Sequence, residues 1–286
     1  MKTVIFGAGG QLGRALRATL PENVAAESFP EEELDICSPN AVAAAIEETK
    51  PDIVINAAAY TAVDKAESET DTAFHVNAEA PGHIAQACND VGARLVHVST
   101  DYVFDGTGER PYRPDDPTGP VSVYGRSKLA GEEAVQAILP DALIVRTAWV
   151  YAAGGANFVV TMLRLMAERD ELNVVADQIG APTHADSLAR ALWALVGNEA
   201  QGVFHYTDAG ETSWHGFAMA IEEQARAMGM IDGCTVHPIT TAEYPTPAAR
   251  PAMSLLDCTA TYAITGPAKN WRDELRNMLD QQKALS

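Results

Sequence analysis

The chain opens with "KTVIFGAGGQLGRALRATL" over residues 2–20, and the fold turns on how that stretch divides. Residues 2–6, KTVIF, form a short apolar run with β-branched and aromatic residues, the composition of a buried strand. GAGGQLG follows with no linker. A helical pattern then runs to Leu20 and is stopped by Pro21. The glycines are spaced GxGGxxG, a relative of the strict GxGxxG fingerprint. Glycines let a backbone turn sharply and approach a pyrophosphate, and the helix behind them offers free N–H groups and a positive dipole end. A glycine loop alone is a weak signal. Placed directly after the first strand it points to a dinucleotide.

Working outward, strands are expected at NVAAES (23–28), DIVINAAA (52–59), RLVHVST (94–100) and ALIVRTAWVY (142–151). Helices fall between them. Ser38 and Pro39 suit the cap and first position of one, a long one should run from about Glu67 to Val91 and end at Gly92, and a third carries Tyr124. Strands alternating with helices at this spacing predict an α/β fold, a Rossmann-like doubly wound parallel sheet. After Tyr151 the pattern changes. Helices are expected near 157–169, 185–197 and 213–229, with short strands near 173–176 and 202–206, and residues 237–257 are proline-rich and irregular. This divides the chain into a nucleotide-binding domain, 1–150, and a smaller C-terminal substrate-binding lobe, mainly 151–286, with a return to the sheet near 185–206.

The formal net charge of −19 argues against binding nucleic acid or an anionic membrane without specific contacts. An anionic ligand would need local basic residues. No apolar run approaches the length of a membrane span. Cys37, Cys88, Cys234 and Cys258 are scattered and form no CxxC pair, which fits a reduced, cytoplasmic setting and no thiolate zinc site.

VSVYGRSKLAGEEA, 121–134, sets Tyr124 and Lys128 one helical turn apart on one face. Helical side chains lean toward the N-terminus, so the ammonium can approach the phenol, and a cation there makes the phenol easier to deprotonate. Ser99 and Thr100 fall at the end of the fourth strand, where ligands of such sheets bind. A YxxxK pair alone is most often an aromatic ring under a lysine stem. Glycine loop, strand-end hydroxyl, tyrosine and lysine together are far more specific.

With these residues the sequence resembles the extended short-chain dehydrogenase/reductases, and among them the dTDP-4-dehydrorhamnose reductases. The stretches that carry the resemblance are GAGGQLG, PDIVINAAAYTAVDKAE, VNAEAPGHIAQAC, VHVSTDYVFDG, YGRSKLAGE, RTAWVY, DQIGAPT and, near the C-terminus, RPAMSLLD. The resemblance implies reduction of the C4 ketone of dTDP-4-dehydro-L-rhamnose by NADH or NADPH. Tyr124 would be the proton donor, Lys128 its electrostatic partner and a ribose ligand, and Thr100 the hydroxyl holding the substrate oxygen. Gly7, Gly10, Gln11, Leu12 and Gly13 would line the pyrophosphate, Asp35 and Ile36 the adenine, and Ala58, Ala59, Tyr60 and Thr61 the underside of the cofactor. Thr100, Asp101, Val103, Phe104 and Trp149 match positions that touch the deoxysugar nucleotide.

Two other readings stand beside this one. One branch of the family resembles the regulatory subunit of methionine adenosyltransferase, a non-catalytic use of the fold, and a related 4-keto-deoxysugar nucleotide could replace the rhamnose precursor. The resemblance also allows a homodimer and, in some members, magnesium at a carboxylate-rich contact between protomers. Asp186 lies in a comparable segment, but the other carboxylates find no match, and no metal ligand is assigned. Trp193, Trp214 and Trp271 fit helix packing. Between Ala18 and Thr49 there is no lysine or arginine, whereas Glu27, Glu31, Glu32, Glu33 and Asp35 are all present. Discrimination against a 2′-phosphate occurs just after strand two, so NADH is expected to serve at least as well as NADPH. Arg14 and Arg17 are the nearby cations that could oppose this.

Overall fold

The computed structural model describes residues 1–285. β1 (Lys2–Phe6) lies inside a parallel sheet, with β2 (Ala25–Phe29) on one side and β3 (Ile53–Asn56), β4 (Arg94–Thr100) and β5 (Leu143–Thr147) on the other. Both faces are covered, which is why these strands read as apolar runs rather than alternating ones. Val4, Phe6 and Val54 pack toward α2 (Pro39–Thr49) and α5 (Ala80–Val91), while Ile5, Ile53 and Ile55 pack on the opposite face with α1 (Gln11–Ala18). Ser38 caps α2 as expected, its Oγ accepting the Ala41 N–H, and Gly92 ends α5 at φ 74.

The helix expected from Glu67 to Val91 is broken up. α3 (Val63–Ala66) precedes it, α4 (Thr70–Phe74) begins it, and a wider π turn, His75–Glu79, joins α4 to α5. Pro81 has no N–H for the carbonyl four residues back, that of Asn77. That carbonyl lies against Gly131 of α6 (Val123–Ile138), where any side chain would collide with it. The third strand stops at Asn56 rather than at 59, because the Asn56 side chain takes the Ala58 N–H at 3.1 Å and turns the chain. The fifth strand is also broken. β5 ends at Thr147 and a short β6 (Val150–Tyr151) follows, with Trp149 between them at φ 48.

Beyond it come α7 (Phe158–Glu168), β7 (Glu171–Val175), β8 (Ile179–Gly180) and β9 (Thr183–His184). α8 (Ala185–Gly197) then packs on α1, and β10 (Gly202–His205) pairs in parallel with β5, completing the six-stranded order β10-β5-β4-β3-β1-β2. The remaining elements are β11 (Thr212–Ser213), α9 (Trp214–Ala227), β12 (Thr235–Ile239), α10 (Thr259–Thr265) and α11 (Trp271–Ala284). β12 pairs with β7, so the segment read as irregular begins with strand. A second core is built from α7, α9 and α11 around Phe217, Ile221, Leu275 and Met278. α10 returns to the first core through Tyr262 and Ile264. Among the described residues, no helix is long and apolar enough to cross a membrane.

Candidate active site

The expected site residues gather at the carboxyl ends of the parallel strands: Thr100 ends β4, Tyr124 and Lys128 lie in the first two turns of α6, and the others follow β1, β2, β3, β4 and β5. The glycine loop leaves β1 at Gly7, whose φ is +76 and whose added Cβ would stand 2.5 Å from the Ala58 nitrogen. Only glycine tolerates that conformation and that approach. An added Cβ on Gly13 would strike the Gly7 carbonyl. Gly10 begins α1 with no side-chain cap, so the first-turn N–H groups face outward, ready for an anion. A loop and helix start of this kind can hold a pyrophosphate. Leu12 is buried in the sheet core, so its contribution is its backbone. Asn157 of the second lobe reaches across to the Gln11 side chain at 2.9 Å.

Beyond β2, Asp35 takes the Cys37 N–H at 2.9 Å, and burial, with the Asp35 charge beside it, pushes the Cys37 thiol up to about 11. Ile36 is buried beneath α2, so its side chain is closed to an adenine and only its backbone is available. Glu27 accepts from Thr49 at 2.9 Å from mid-strand and does not stand with the acids after β2. Arg14 folds onto the glycine loop and donates to the Gly9 carbonyl at 2.6 Å.

Ala58, Ala59, Tyr60 and Thr61 follow β3 beside this loop. Asn77, from the π turn, fixes them. Its Oδ1 accepts the Tyr60 N–H at 2.9 Å, and its Nδ2 donates to the Tyr60 carbonyl and to Ser127 Oγ, both at 3.0 Å. Ser127 Oγ in turn donates to the Tyr124 carbonyl at 2.8 Å. One side chain thus joins the loop after β3 to the helix carrying Tyr124 and Lys128. Sequence reading assigned Asn77 no part. The signal was Pro81 four residues on, which marks an irregular helix. The Tyr60 phenol points elsewhere, donating to Glu69 at 2.6 Å.

At the end of β4, Thr100 donates to Asp101 Oδ1 at 2.9 Å, with the Tyr124 phenol close enough to feel its hydroxyl. Burial pushes Tyr124 up to about 12, the Thr100 hydroxyl opposing that rise and Asp101 adding to it. Lys128 is 2 % exposed and donates to the Val98 carbonyl at 2.8 Å. Burial lowers it to about 8, with Glu132 opposing. The expected lowering of the phenol by Lys128 therefore does not operate in the protein alone, where desolvation outweighs it. Asp101 is also 2 % exposed, and burial raises it to about 6 against hydrogen bonds from Ser254 and Thr100. Its Oδ2 has no partner.

Val103 and Phe104 are fully buried against Tyr112 and Leu256, and the Phe104 ring stacks on Tyr112 at 4.3 Å. Their side chains point into this cluster, so a ligand at these positions would meet their backbone. Trp149 lies half-buried against Trp214, ring centroids 3.5 Å apart and nearly parallel. An added Cβ on Gly180 would stand 2.6 Å from the Trp149 ring and 2.9 Å from Ser254 Oγ. Trp214, read as helix packing, is thus the stacking partner of Trp149.

The RPAMS segment closes this side. Arg250 forks onto Asp64 at 3.1 and 2.8 Å, and Pro251 packs over Gly106. Ser254 and Arg250 were quoted in a matching stretch without roles; the structure brings both to the site. Asp186 lies apart, accepting from Gln281 at 2.9 Å. Among the described residues no cluster of three or more His, Cys, Asp or Glu side chains could hold a metal ion.

Residues 1–284 match the model of the family described as "RmlD substrate binding domain". A dTDP-4-dehydrorhamnose reductase of Burkholderia thailandensis is 48% identical over 268 residues, 90% of each chain. The crystal structure of a dTDP-4-dehydrorhamnose reductase from Clostridium acetobutylicum superposes with a TM-score of 0.93 at 42% identity, covering 99% of this chain and 100% of that one. The enzyme of the same name from Bacillus anthracis, solved in complex with NADP, gives 0.92 at 37% identity and covers 98% and 99%. Matched along almost its whole length in sequence and in fold, the chain belongs to the dTDP-4-dehydrorhamnose reductase family.

Proposed function

We propose that this chain reduces the C4 ketone of dTDP-4-dehydro-L-rhamnose to dTDP-L-rhamnose, using NADH or NADPH. The observation that carries the reading is the convergence of Thr100, Tyr124 and Lys128 at the end of β4, beside a loop that only glycine can form. The residues present fit a nicotinamide dinucleotide. Gly7, Gly10 and Gly13 leave room for the pyrophosphate against the open N-terminus of α1, and the Ala58–Thr61 loop lies beneath. The chemistry drawn from the bound, reduced cofactor is hydride for C4.

The chain itself manages the proton. With its pKa near 12, Tyr124 is protonated at neutral pH and holds a proton at its phenolic oxygen. Thr100 holds the ketone oxygen beside that phenol. As negative charge grows on the oxygen, the Tyr124 proton moves to it and a phenolate remains. Matching a phenol of pKa 12 to pH 7 takes about 7 kcal/mol of charge stabilisation. Lys128, one helical turn away, would supply part of that charge once the cofactor is bound. Asp101 accepts the Thr100 hydroxyl and so orients it, and the Trp149–Trp214 stack offers an aromatic face for the base.

Purified protein with dTDP-4-dehydro-L-rhamnose and reduced cofactor should consume nicotinamide absorbance. Tyr124→Phe should keep the fold and cofactor affinity and lose about two to four orders of magnitude in turnover, the usual worth of a positioned acid. Near-normal turnover in that variant refutes the assignment. Absence of turnover in the wild type with intact cofactor binding favours a non-catalytic role.

A further inference from the structure

Glu132 and Arg146 form an ion pair that the chemistry above does not use. Glu132 lies on α6 one turn beyond Lys128, and Arg146 lies on β5 as the Cα partner of Ser99 in β4. Both side chains are almost wholly buried. Arg146 Nε approaches the two carboxylate oxygens at 2.9 and 3.2 Å, and Nη2 donates to Oε2 at 2.7 Å. Nη1 donates to the Pro114 carbonyl at 3.2 Å, and the guanidinium lies 5.1 Å from the centre of the Phe104 ring. The fork is therefore fixed on every side.

Residues four apart on a helix are neighbours, and side chains lean toward the N-terminus. The Glu132 carboxylate therefore leans toward Lys128, whose charge it supports, while the Lys128 ammonium ends at the Val98 carbonyl, 2.8 Å away. A buried carboxylate must be paired. Without Arg146, the cation next in reach of Glu132 is Lys128. The pairing would draw the ammonium back along α6, away from Val98 and the phenol.

We propose that Arg146 is a positioning residue for Lys128: by occupying both oxygens of Glu132 it denies that carboxylate to the lysine and leaves the ammonium facing the cofactor and Tyr124. The proposal rests on the reading of Lys128 as cofactor ligand and electrostatic partner. It sets the pair apart from a purely structural ion pair, because the two halves are not equivalent. Loss of Arg146 frees a competitor for Lys128, whereas loss of the Glu132 charge does not.

The test is titration of NADPH into the folded protein by nicotinamide fluorescence, with reductase turnover beside it, in Arg146→Gln, Glu132→Gln, the double variant and Lys128→Met. Arg146→Gln should weaken NADPH binding and kcat/KM by at least about tenfold, equivalent to about 1.4 kcal/mol. Glu132→Gln should stay within about threefold of wild type, and the double variant should return to within about threefold. Equal losses in the two single variants, or no recovery in the double variant, overturn the proposal. If Arg146→Gln does not fold, Arg146→Lys takes its place. One ammonium satisfies one carboxylate oxygen and leaves the other for Lys128, so weaker NADPH binding is expected and wild-type binding overturns the proposal. Lys128→Met separates the two levels of inference. Unchanged NADPH affinity in that variant defeats the underlying reading of Lys128, whereas a loss there with symmetric behaviour of Arg146 and Glu132 defeats only the positioning role.

Discussion

Asp101→Asn should make the protein more stable and less active, and the gain should depend on pH. Asp101 is buried with one carboxylate oxygen unpartnered, and its pKa rises from 3.8 to about 6, chiefly by desolvation. The sign follows from proton binding. The folded state holds the Asp101 proton more tightly than the unfolded state, so ionisation opposes folding. Below about pH 4 both states are protonated and the site costs nothing. The cost grows between about pH 4 and pH 6 and is complete above, where the shift corresponds to about 3 kcal/mol. Asparagine keeps the shape and carries no charge at any pH. Urea unfolding of both proteins should show the variant ahead by about 3 kcal/mol at pH 7.5 and by about half that at pH 5, where the wild-type carboxyl is largely protonated. Turnover should fall in the same variant, because the Thr100 hydroxyl then donates to a neutral amide in place of a carboxylate. An asparagine variant no more stable than wild type at pH 7.5, or a gain that does not change between the two pH values, refutes the reasoning.

Trp149→Ala should raise the substrate KM more than the cofactor Kd, with a stability loss near the stacking value of about 0.5–1.5 kcal/mol; a loss of about 3–5 kcal/mol, read from thermal midpoints, would mark a core residue instead. Gly13→Ala should weaken NADH and NADPH alike by titration, because its Cβ strikes the Gly7 carbonyl and displaces the whole loop; unchanged affinity refutes the loop's role in holding a pyrophosphate. Catalytic efficiency with NADH should at least equal that with NADPH at matched ionic strength. Glu32 lies beside Gly9, and Arg14 is committed to the Gly9 carbonyl; a tenfold preference for NADPH would show that Arg14 still reaches a 2′-phosphate, and Arg14→Ala would then abolish that preference.

The sequence made legible what is local and periodic. The five strands, the glycine loop and the Thr100, Tyr124, Lys128 set all follow from short-range pattern, and their positions at strand ends follow from the parallel sheet. What stayed hidden depends on contacts between distant residues. Asn77 bonds a loop 17 residues away and a helix 50 residues away, and Arg250 meets Asp64 across 186 positions. Neither pairing leaves a trace in composition or spacing. Val103, Phe104 and Ile36 show the converse. They stand at matching positions, yet apolar side chains beside a strand end are drawn into the core, and only their backbone stays near the surface. Trp149 and Trp214 are 65 residues apart in number, and nothing in either local pattern foretells their stack.

The place of β10 has a consequence for synthesis. The sheet is not closed off by the segment that begins it, because its last strand, Gly202–His205, is made after much of the second lobe. A nascent chain whose first 150 residues have left the ribosome therefore presents β5, all of whose residues are buried in the finished protein, as an open edge. Open edges of that kind pair with other chains. At about 5–20 residues per second, the interval before β10 emerges is several seconds. Arg250, which ties the last loop over the cleft, arrives later still. The glycine loop can be assembled early, but the sheet's last strand and the Arg250–Asp64 tie both wait for the final third of the chain, the interval in which a chaperone would have most to protect.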